Sequence, residues 1–225
     1  NDLREVFIND DNLFFNPKIG FDYILSPSSR GYASVAIANR EPTRSDYLDS
    51  PFWGAASIRH ERLMDFEFGY RYVAKKWATE IGFYHMDYKD QLIATGMLND
   101  VGSSVRVNVP SSFRQGIEFQ AGVELQPRFR WDGNVTVSRN KINVFSEILY
   151  DYNPDFDYVN SVNHVNTDIS FSPGFIAASV FGYDVWSNDE IQIECELSTK
   201  YVGKQYLDNT SNDSRSLPGY VLNNV

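Results

Sequence analysis

Apolar and polar residues alternate along much of this chain with a period of two, which is typical of β-strands. The clearest run covers residues 113–125, where the odd positions are apolar except Gln115. The even positions of the same run are charged residues, amides or glycines. A soluble strand usually has about 5–6 residues, whereas a strand that crosses a membrane needs about 9–11. The length and the alternation together predict a membrane-spanning strand with one oily and one wet face.

Four further segments repeat this alternation. Their apolar positions are Phe15, Ile19, Phe21, Tyr23 and Leu25; Phe66, Phe68, Tyr70 and Tyr72; Phe129, Trp131, Val135 and Val137; and Ile191, Ile193, Cys195 and Leu197. Less regular strands are predicted over 32–40, 77–94 and 165–181, and a last strand from about Leu217. Together, these segments predict an all-β, antiparallel sheet of about nine strands. We predict that its lipid-facing wall includes Phe21, Phe68, Ile117, Phe119, Val135 and Ile193.

The connections between the predicted strands alternate between short and long. Segments 26–30, 74–76 and 126–128 are tight turns and 182–189 is intermediate, whereas 41–64, 95–112, 143–164 and 204–216 are long and polar. Bacterial outer-membrane barrels have short periplasmic turns, long extracellular loops and aromatic girdles. The aromatic residues that flank the short turns agree with a periplasmic girdle: Tyr72, Trp77, Phe129 and Trp131. The alternation predicts transmembrane β-barrel strands in an incomplete barrel. A soluble β-sandwich that binds glycans is the alternative, but a sandwich has no reason to keep its long loops at one end.

The composition fits strands better than helices as the membrane-crossing elements. Hydrophobic residues make up 42% of the 225 residues, yet the mean hydropathy is −0.39. No apolar run approaches the roughly 18 residues of a transmembrane helix. The formal charge is −10 and no Lys/Arg cluster is present, so nucleic-acid binding is not expected. The single cysteine, Cys195, excludes an internal disulfide framework.

The richest candidate for ligand binding is the long loop 41–64. It carries Arg44, Tyr47, Trp53, Arg59 and His60. Arginines and aromatic rings suit an anionic, partly aromatic ligand such as a ferric chelate. The alternative is a loop that folds over its own aromatic residues. The predicted inner face also carries five glycines, for which strand bending and room for a plug are two compatible explanations: Gly20, Gly69, Gly82, Gly116 and Gly122.

Catalytic and metal-binding patterns are weak. His60, His85 and His164 lack metal-ligand spacing, and the alternating carboxylates of segment 151–158 lack the glycine and ordered ligands of a calcium loop. Paired carboxylates for glycoside hydrolysis are available at Glu118, Glu124, Glu194 and Glu196, but a water-facing barrel wall needs the same residues. No G-x-S-x-G or phosphate-binding loop occurs. We therefore predict no enzyme activity, no metal site and no cofactor.

Five stretches in order resemble the barrel of TonB-dependent outer-membrane receptors, especially those of Bacteroidetes. They are ANREPTRSDY (38–47), DFEFGYRY (65–72), FYHMDYKDQL (83–92), NVPSSFRQGIE (108–118) and RSLPGY (215–220). This resemblance implies that residues 1–225 are the C-terminal part of a plugged barrel of about 22 strands, with the plug domain outside this sequence. It also implies a bacterial outer-membrane receptor that takes up an iron–siderophore or related metal chelate with TonB-supplied energy. The implied partners are outer-membrane lipid, its own plug domain, the TonB complex and the chelate.

Overall fold

The computed structural model of this chain is almost entirely β-structure, and it describes residues 11–48, 58–98, 102–151 and 158–225. No helix in those ranges has the length and apolar character needed to cross a membrane. The elements are β1 (Lys18–Ser26), β2 (Ser29–Arg40), α1 (Arg44–Leu48), β3 (Glu61–Val73), β4 (Trp77–Leu98), β5 (Ser104–Gln126), β6 (Phe129–Asp151), β7 (Tyr158–Asp168), β8 (Phe175–Ser187), β9 (Gln192–Val202), β10 (Gln205–Tyr206), a 3-10 turn (Asp213–Arg215), β11 (Ser216–Leu217) and β12 (Tyr220–Asn224).

One antiparallel sheet contains nine strand positions in the order β1-β2-β3-β4-β5-β6-β8-β9-β12. The predicted count of about nine strands is confirmed, but the single strand predicted over 165–181 is wrong. Two strands share that position: β8 pairs with the first half of β6 and β7 with its second half. The break between them contains Phe171, whose φ is +51°, and Pro173, which has no N–H to donate to a ladder.

The register gives the sheet one apolar and one polar face. A line of register partners that crosses all nine positions contains only apolar residues, tyrosines and one glycine: Tyr23, Gly31, Tyr70, Ile81, Phe119, Val135, Ala177, Tyr201 and Val221. The neighbouring line lies on the opposite face and includes Asp22, Tyr32, Glu118 and Thr136. Successive residues of a strand point to opposite faces. All six predicted wall residues therefore share the apolar face.

The apolar face stops abruptly on β4, β5 and β6. The line of partners Phe68, Phe83, Ile117 and Val137 is apolar throughout. One step further from the short turns, the same face carries His85, Gln115 and Arg139 as neighbours. His85 Nδ1 lies 3.2 Å from Gln115 Oε1. Here the oily surface gives way to hydrogen-bonding side chains.

The two ends of the sheet differ, and we refer to them as the short-turn end and the long-loop end. At the short-turn end, Ala74 N donates to the carbonyl of Trp77, and the Tyr72 and Trp77 rings stack with centroids 4.8 Å apart. The rings of Phe129 and Phe181 stack there as well. The predicted intermediate connection 182–189 is wrong, because β8 continues to Ser187 and only residues 188–191 separate it from β9.

The long-loop end contains more strand than the sequence pattern predicts. Loops predicted over 95–112 and 143–164 are largely continuations of β4, β5, β6 and β7. Gln91 pairs with Val109, and Phe145 pairs with His164. The last connection also differs, since residues 216–217 belong to the small β10–β11 pair and the final strand of the sheet begins only at Tyr220. The first strand begins at Lys18, so Phe15 precedes it.

Candidate functional site

The long-loop end has a hydrophobic core of its own. Ile93, Val109, Ile142, Phe145 and Ile169 are buried together. They come from β4, β5, β6 and the segment after β7. In the sheet below, by contrast, large apolar side chains such as Ile117 and Phe119 are about half exposed. The extended hairpins are therefore packed against each other rather than projecting separately.

The last long connection, residues 203–219, folds onto these hairpins. Asn209 is almost completely buried; its Nδ2 donates to the Ala94 carbonyl at 3.0 Å, and its Oδ1 accepts from Ser170 N at 2.9 Å. Phe171 N donates to the Tyr206 carbonyl at 2.9 Å. Three segments that are distant in sequence are thereby joined at one end of the sheet.

A cluster of charged side chains reinforces the same contact. Arg215 Nη1 lies 2.7 Å from Glu147 Oε1 and 2.9 Å from Asp208 Oδ2, and His164 Nε2 lies 2.9 Å from Glu147 Oε2. Burial acts to raise the pKa of Asp208, but hydrogen bonds donated by Thr210 and Arg215 outweigh burial and hold that pKa below its usual value. Hydrogen bonds to Glu147 and Asp208 raise the pKa of Arg215. Arg215 therefore ties the last connection to the β6–β7 hairpin in the ionised state.

Of the five residues predicted as ligand contacts, the structure describes four, which lie on α1 and on the segment just before β3. Arg59 is held on the β4–β5 hairpin by an ion pair with Asp90 at 2.7 Å, while the His60 ring packs against Phe14. Arg44 is exposed on α1, and Tyr47 lies on the same short helix. The fifth residue, Trp53, lies outside the described residues.

The described part of this loop is anchored to the sheet rather than open. Asp46 is almost fully buried, and its Oδ1 lies 3.6 Å from Arg106 Nη1 on β5. Asn108 Oδ1 accepts from Arg59 N, and Asn108 Nδ2 donates to the Arg59 carbonyl, both at 2.8 Å. These contacts hold the described part of 41–64 against β5.

A cavity of about 470 Å³ lies on the polar face near the long-loop end. Its rim combines the strand break with side chains of β4, β5 and β6, including Tyr84, Met86, Arg114, Asn140 and Phe171. Arg114 Nη1 donates to Ser172 Oγ at 2.9 Å. Glu67 and Glu118 line the side of the cavity nearer the short turns. We call this space the Arg114 cavity.

The polar-face glycines make room for tyrosine rings beside this cavity. A Cβ on Gly116 would lie 2.7 Å from the Tyr84 hydroxyl, and a Cβ on Gly69 would lie 2.5 Å from the Tyr32 hydroxyl. A Cβ on Gly20, in contrast, would meet nothing closer than 3.6 Å. The rings of Tyr32 and Tyr84 therefore lie flat against the sheet.

Comparison with known proteins shows the family of this chain. The family model for "TonB dependent receptor-like, beta-barrel" matches residues 2–225. The chain belongs to the TonB-dependent receptor β-barrel family. Family membership replaces the glycan-binding sandwich alternative, and the predicted antiparallel barrel fold is confirmed. Over the residues that the structure describes, the sheet is not closed, and its outer strands β1 and β12 do not pair with each other.

Solved TonB-dependent receptors share this fold at low sequence identity. The copper transporter OprC is 16% identical with a TM-score of 0.65, and the match covers 92% of this chain and 30% of OprC. The ferric yersiniabactin uptake receptor FyuA from Yersinia pestis is 18% identical with a TM-score of 0.62, over 92% of this chain and 28% of FyuA. The siderophore receptor PirA from Acinetobacter baumannii is 14% identical with a TM-score of 0.63, over 92% and 33%. This chain thus spans about a third of the length of these receptors. No match was found among curated protein sequences.

The family's barrels belong to transporters and receptors, and the chemistry of the site fits a binding surface. Among the described residues, no group of three or more His, Cys, Asp or Glu side chains is arranged to hold a metal ion. Sequence reasoning missed the Arg114 cavity because its residues come from separated strands. One signal was available: within the run 113–125, Arg114 is the only cation on the polar face.

Proposed function

We propose that this chain supplies wall and ligand-facing surface to a bacterial outer-membrane receptor that takes up a metal chelate, with an iron–siderophore as the first candidate. The observation that carries this proposal is the arrangement at the long-loop end. The packed loops lie beyond the end of the apolar face. The Arg114 cavity opens on the polar face, next to these loops. A receptor that captures a solute from outside needs binding groups at this level.

The apolar face supports the membrane location. In lipid, every backbone polar group must be paired, which closed β-barrels achieve through ladders between strands. The apolar line from Tyr23 to Val221 crosses all nine strand positions without a charged residue. This proposal implies that outer-membrane lipid contacts the six predicted wall residues: Phe21, Phe68, Ile117, Phe119, Val135 and Ile193.

The structural neighbours support the class of cargo. OprC is described as a copper transporter, FyuA as a ferric yersiniabactin receptor and PirA as a siderophore receptor. Each of these descriptions names a metal, a ferric complex or a siderophore. The polar face would then receive the receptor's own plug domain, and energy would come from the TonB complex through segments outside residues 1–225.

Uptake by the complete receptor tests the proposed function. Cells that express the full-length protein in a strain without other chelate receptors should accumulate radioactive iron from at least one ferric siderophore. Deletion of TonB should abolish this accumulation, while binding of the chelate to intact cells persists. TonB-independent accumulation, or no uptake from a broad panel of iron and copper chelates, would contradict the proposal.

A further inference from the structure

We propose that the Arg114 cavity is a binding subsite for an anionic group attached to an aromatic ring, with an aryl carboxylate as its simplest representative. The inference rests on the proposed function, because it names the part of the cargo that this surface recognises. It depends on three features: a cation without an acidic partner, an aromatic side chain held at the rim, and two carboxylates that line the side of the cavity nearer the short turns.

Arg114 differs from the other arginines of the polar face. Arg30 faces Asp22, Arg71 faces Glu80, and Arg130 contacts Asp132, Glu194 and Glu196. In the described ranges no carboxylate lies within 4.0 Å of the Arg114 guanidinium, whose hydrogen-bond partners are the neutral hydroxyls of Ser172 and Tyr88. Its planar fork can bind a carboxylate through two parallel hydrogen bonds. Arg114 thus retains unused donors that face the cavity.

The aromatic side of the subsite comes from the strand break. Phe171 lines the cavity, is 63% exposed, and has a backbone φ of +51° that a bulky side chain rarely adopts. Hydrogen bonds hold this conformation: Phe171 N donates to the Tyr206 carbonyl and Ser170 N to Asn209 Oδ1. Strained residues of this kind concentrate at ligand sites. Phe171 and Met86 therefore provide an apolar surface beside the Arg114 guanidinium.

The two carboxylates that line the cavity orient the ligand. Glu118 lies four residues from Arg114 on the same face of β5, a separation of about 13 Å at the rise of a strand. Glu67 lines the same side of the cavity as Glu118. These carboxylates repel an anion from the side nearer the short turns. The anionic group is therefore directed to Arg114, with its ring toward Phe171.

Fluorine NMR with the purified full-length receptor in detergent tests this subsite directly. The probe is 5-fluorosalicylate, and the neutral control compound is 5-fluorosalicylamide. We expect the receptor to broaden the signal of the anion in a saturable manner and to leave the amide signal sharp. Arg114→Gln should weaken binding of the anion about tenfold, which is the loss expected for a charge-assisted hydrogen-bonded contact. Phe171→Ala should weaken binding several-fold.

Matched variants keep the interpretation clear. Arg139→Gln removes an exposed arginine from the opposite face of β6, so it should bind the probe as the native receptor does. Arg114→Lys keeps the charge but loses the planar fork, so intermediate binding is expected. Equal broadening of both compounds, or native affinity in Arg114→Gln, would overturn the subsite. So would the absence of probe binding in the native receptor, which is the result expected if the plug occupies Arg114.

Iron uptake measured in parallel separates the two proposals: uptake without probe binding rejects only the subsite, and probe binding without uptake rejects only the transport function.

Discussion

The phenol ring of Tyr32 covers Gly69 on the neighbouring strand, so closely that a Cβ on Gly69 would lie 2.5 Å from the Tyr32 hydroxyl. The same Cβ would lie 2.7 Å from the backbone carbonyl of Ile81. Tyr32 can rotate away, but the backbone of β4 cannot move without disturbing its ladders. Gly69→Ala should therefore destabilise the full-length barrel by about 1–3 kcal/mol, the usual cost of overpacking. Gly20→Ala is the control, with an expected change within about 0.5 kcal/mol. Thermal loss of the folded band on semi-native gels measures both, and equal stability of the two variants would contradict the close contact.

Phe119 and Glu118 test which face meets lipid. Phe119 lies on the apolar face, one row further inside it than Ile117. Phe119→Lys places a charge there and should cost about 2 kcal/mol, between the cost of about 2–4 kcal/mol at the bilayer midplane and that of about 0–1 kcal/mol at the interfaces. Glu118→Lys changes a neighbouring residue on the polar face and should cost much less. Refolding equilibria of the complete barrel in lipid vesicles provide the measurement. Similar costs at the two positions would refute the assignment of the faces.

Arg215 is expected to hold the last connection in place. Arg215→Met leaves the nearly buried Glu147 without one of its partners, and we expect a cost of about 1–2 kcal/mol because Arg215 is itself half exposed. Hydrogen–deuterium exchange should become faster at Phe171 and Leu207, whose amides donate to carbonyls in or next to this connection. Lys204→Met removes an exposed pair with Asp213 and should change little. Unchanged protection in Arg215→Met would show that packing alone fixes the connection.

The same connection should loosen in acid. The pKa of Asp208 is depressed in the folded protein, so its contribution to stability is fully present above the unfolded value of about 3.9. This contribution is lost as the pH falls through the folded value. Exchange at Leu207, corrected for intrinsic rates, should therefore rise below about pH 4. Asp208→Asn should already be loose at neutral pH, and an equally steep acid response in that variant would exclude Asp208 as the cause.

Antibody labelling tests the sidedness of the barrel. An epitope inserted after Asn153 should be reached on intact cells, because long polar loops face outward and tolerate insertion. An epitope at Lys75, in a tight turn, should be reached only after the outer membrane is opened. The opposite pattern would mean that the topology is inverted.

The strand segments that carry the apolar face could be predicted from the sequence, because lipid on one side and water on the other impose a period of two over many residues. Residues 117–125 show this pattern without interruption, residues 129–137 show it with Gly133 as the one non-apolar residue of the apolar face, and the two runs pair with each other. The period of two weakens beyond the apolar face, at the long-loop end, where both faces of a hairpin contact protein or water. Val109 and Ile142, for example, are buried in the core of the long-loop end rather than exposed to lipid. The extensions of β4 to β7 were consequently mistaken for loops.

The candidate site was less predictable, because it depends on contacts between residues far apart in sequence. Arg59 looked available for a ligand, but Asp90 holds it. Arg114 looked like one more polar wall residue, yet in the described part of the chain it lacks the acidic partner that Arg30 and Arg71 have. Local alternation gives the face of a residue. Whether its charge is already neutralised depends on the tertiary structure.

Asn209 has a consequence for engineering receptors of this kind. Its side chain joins the β4–β5 hairpin at Ala94 to the strand break at Ser170, and it comes from a third segment of the chain. If one loop is transplanted alone from another receptor, its backbone groups lose the hydrogen-bond partners that the other two segments supply. The backbone groups of the host that bonded to the original loop are left unpaired as well. Exchange of specificity by loop grafting should therefore succeed only when these three segments are transferred as a set. The same dependence implies that their lengths are inherited together as related receptors diverge.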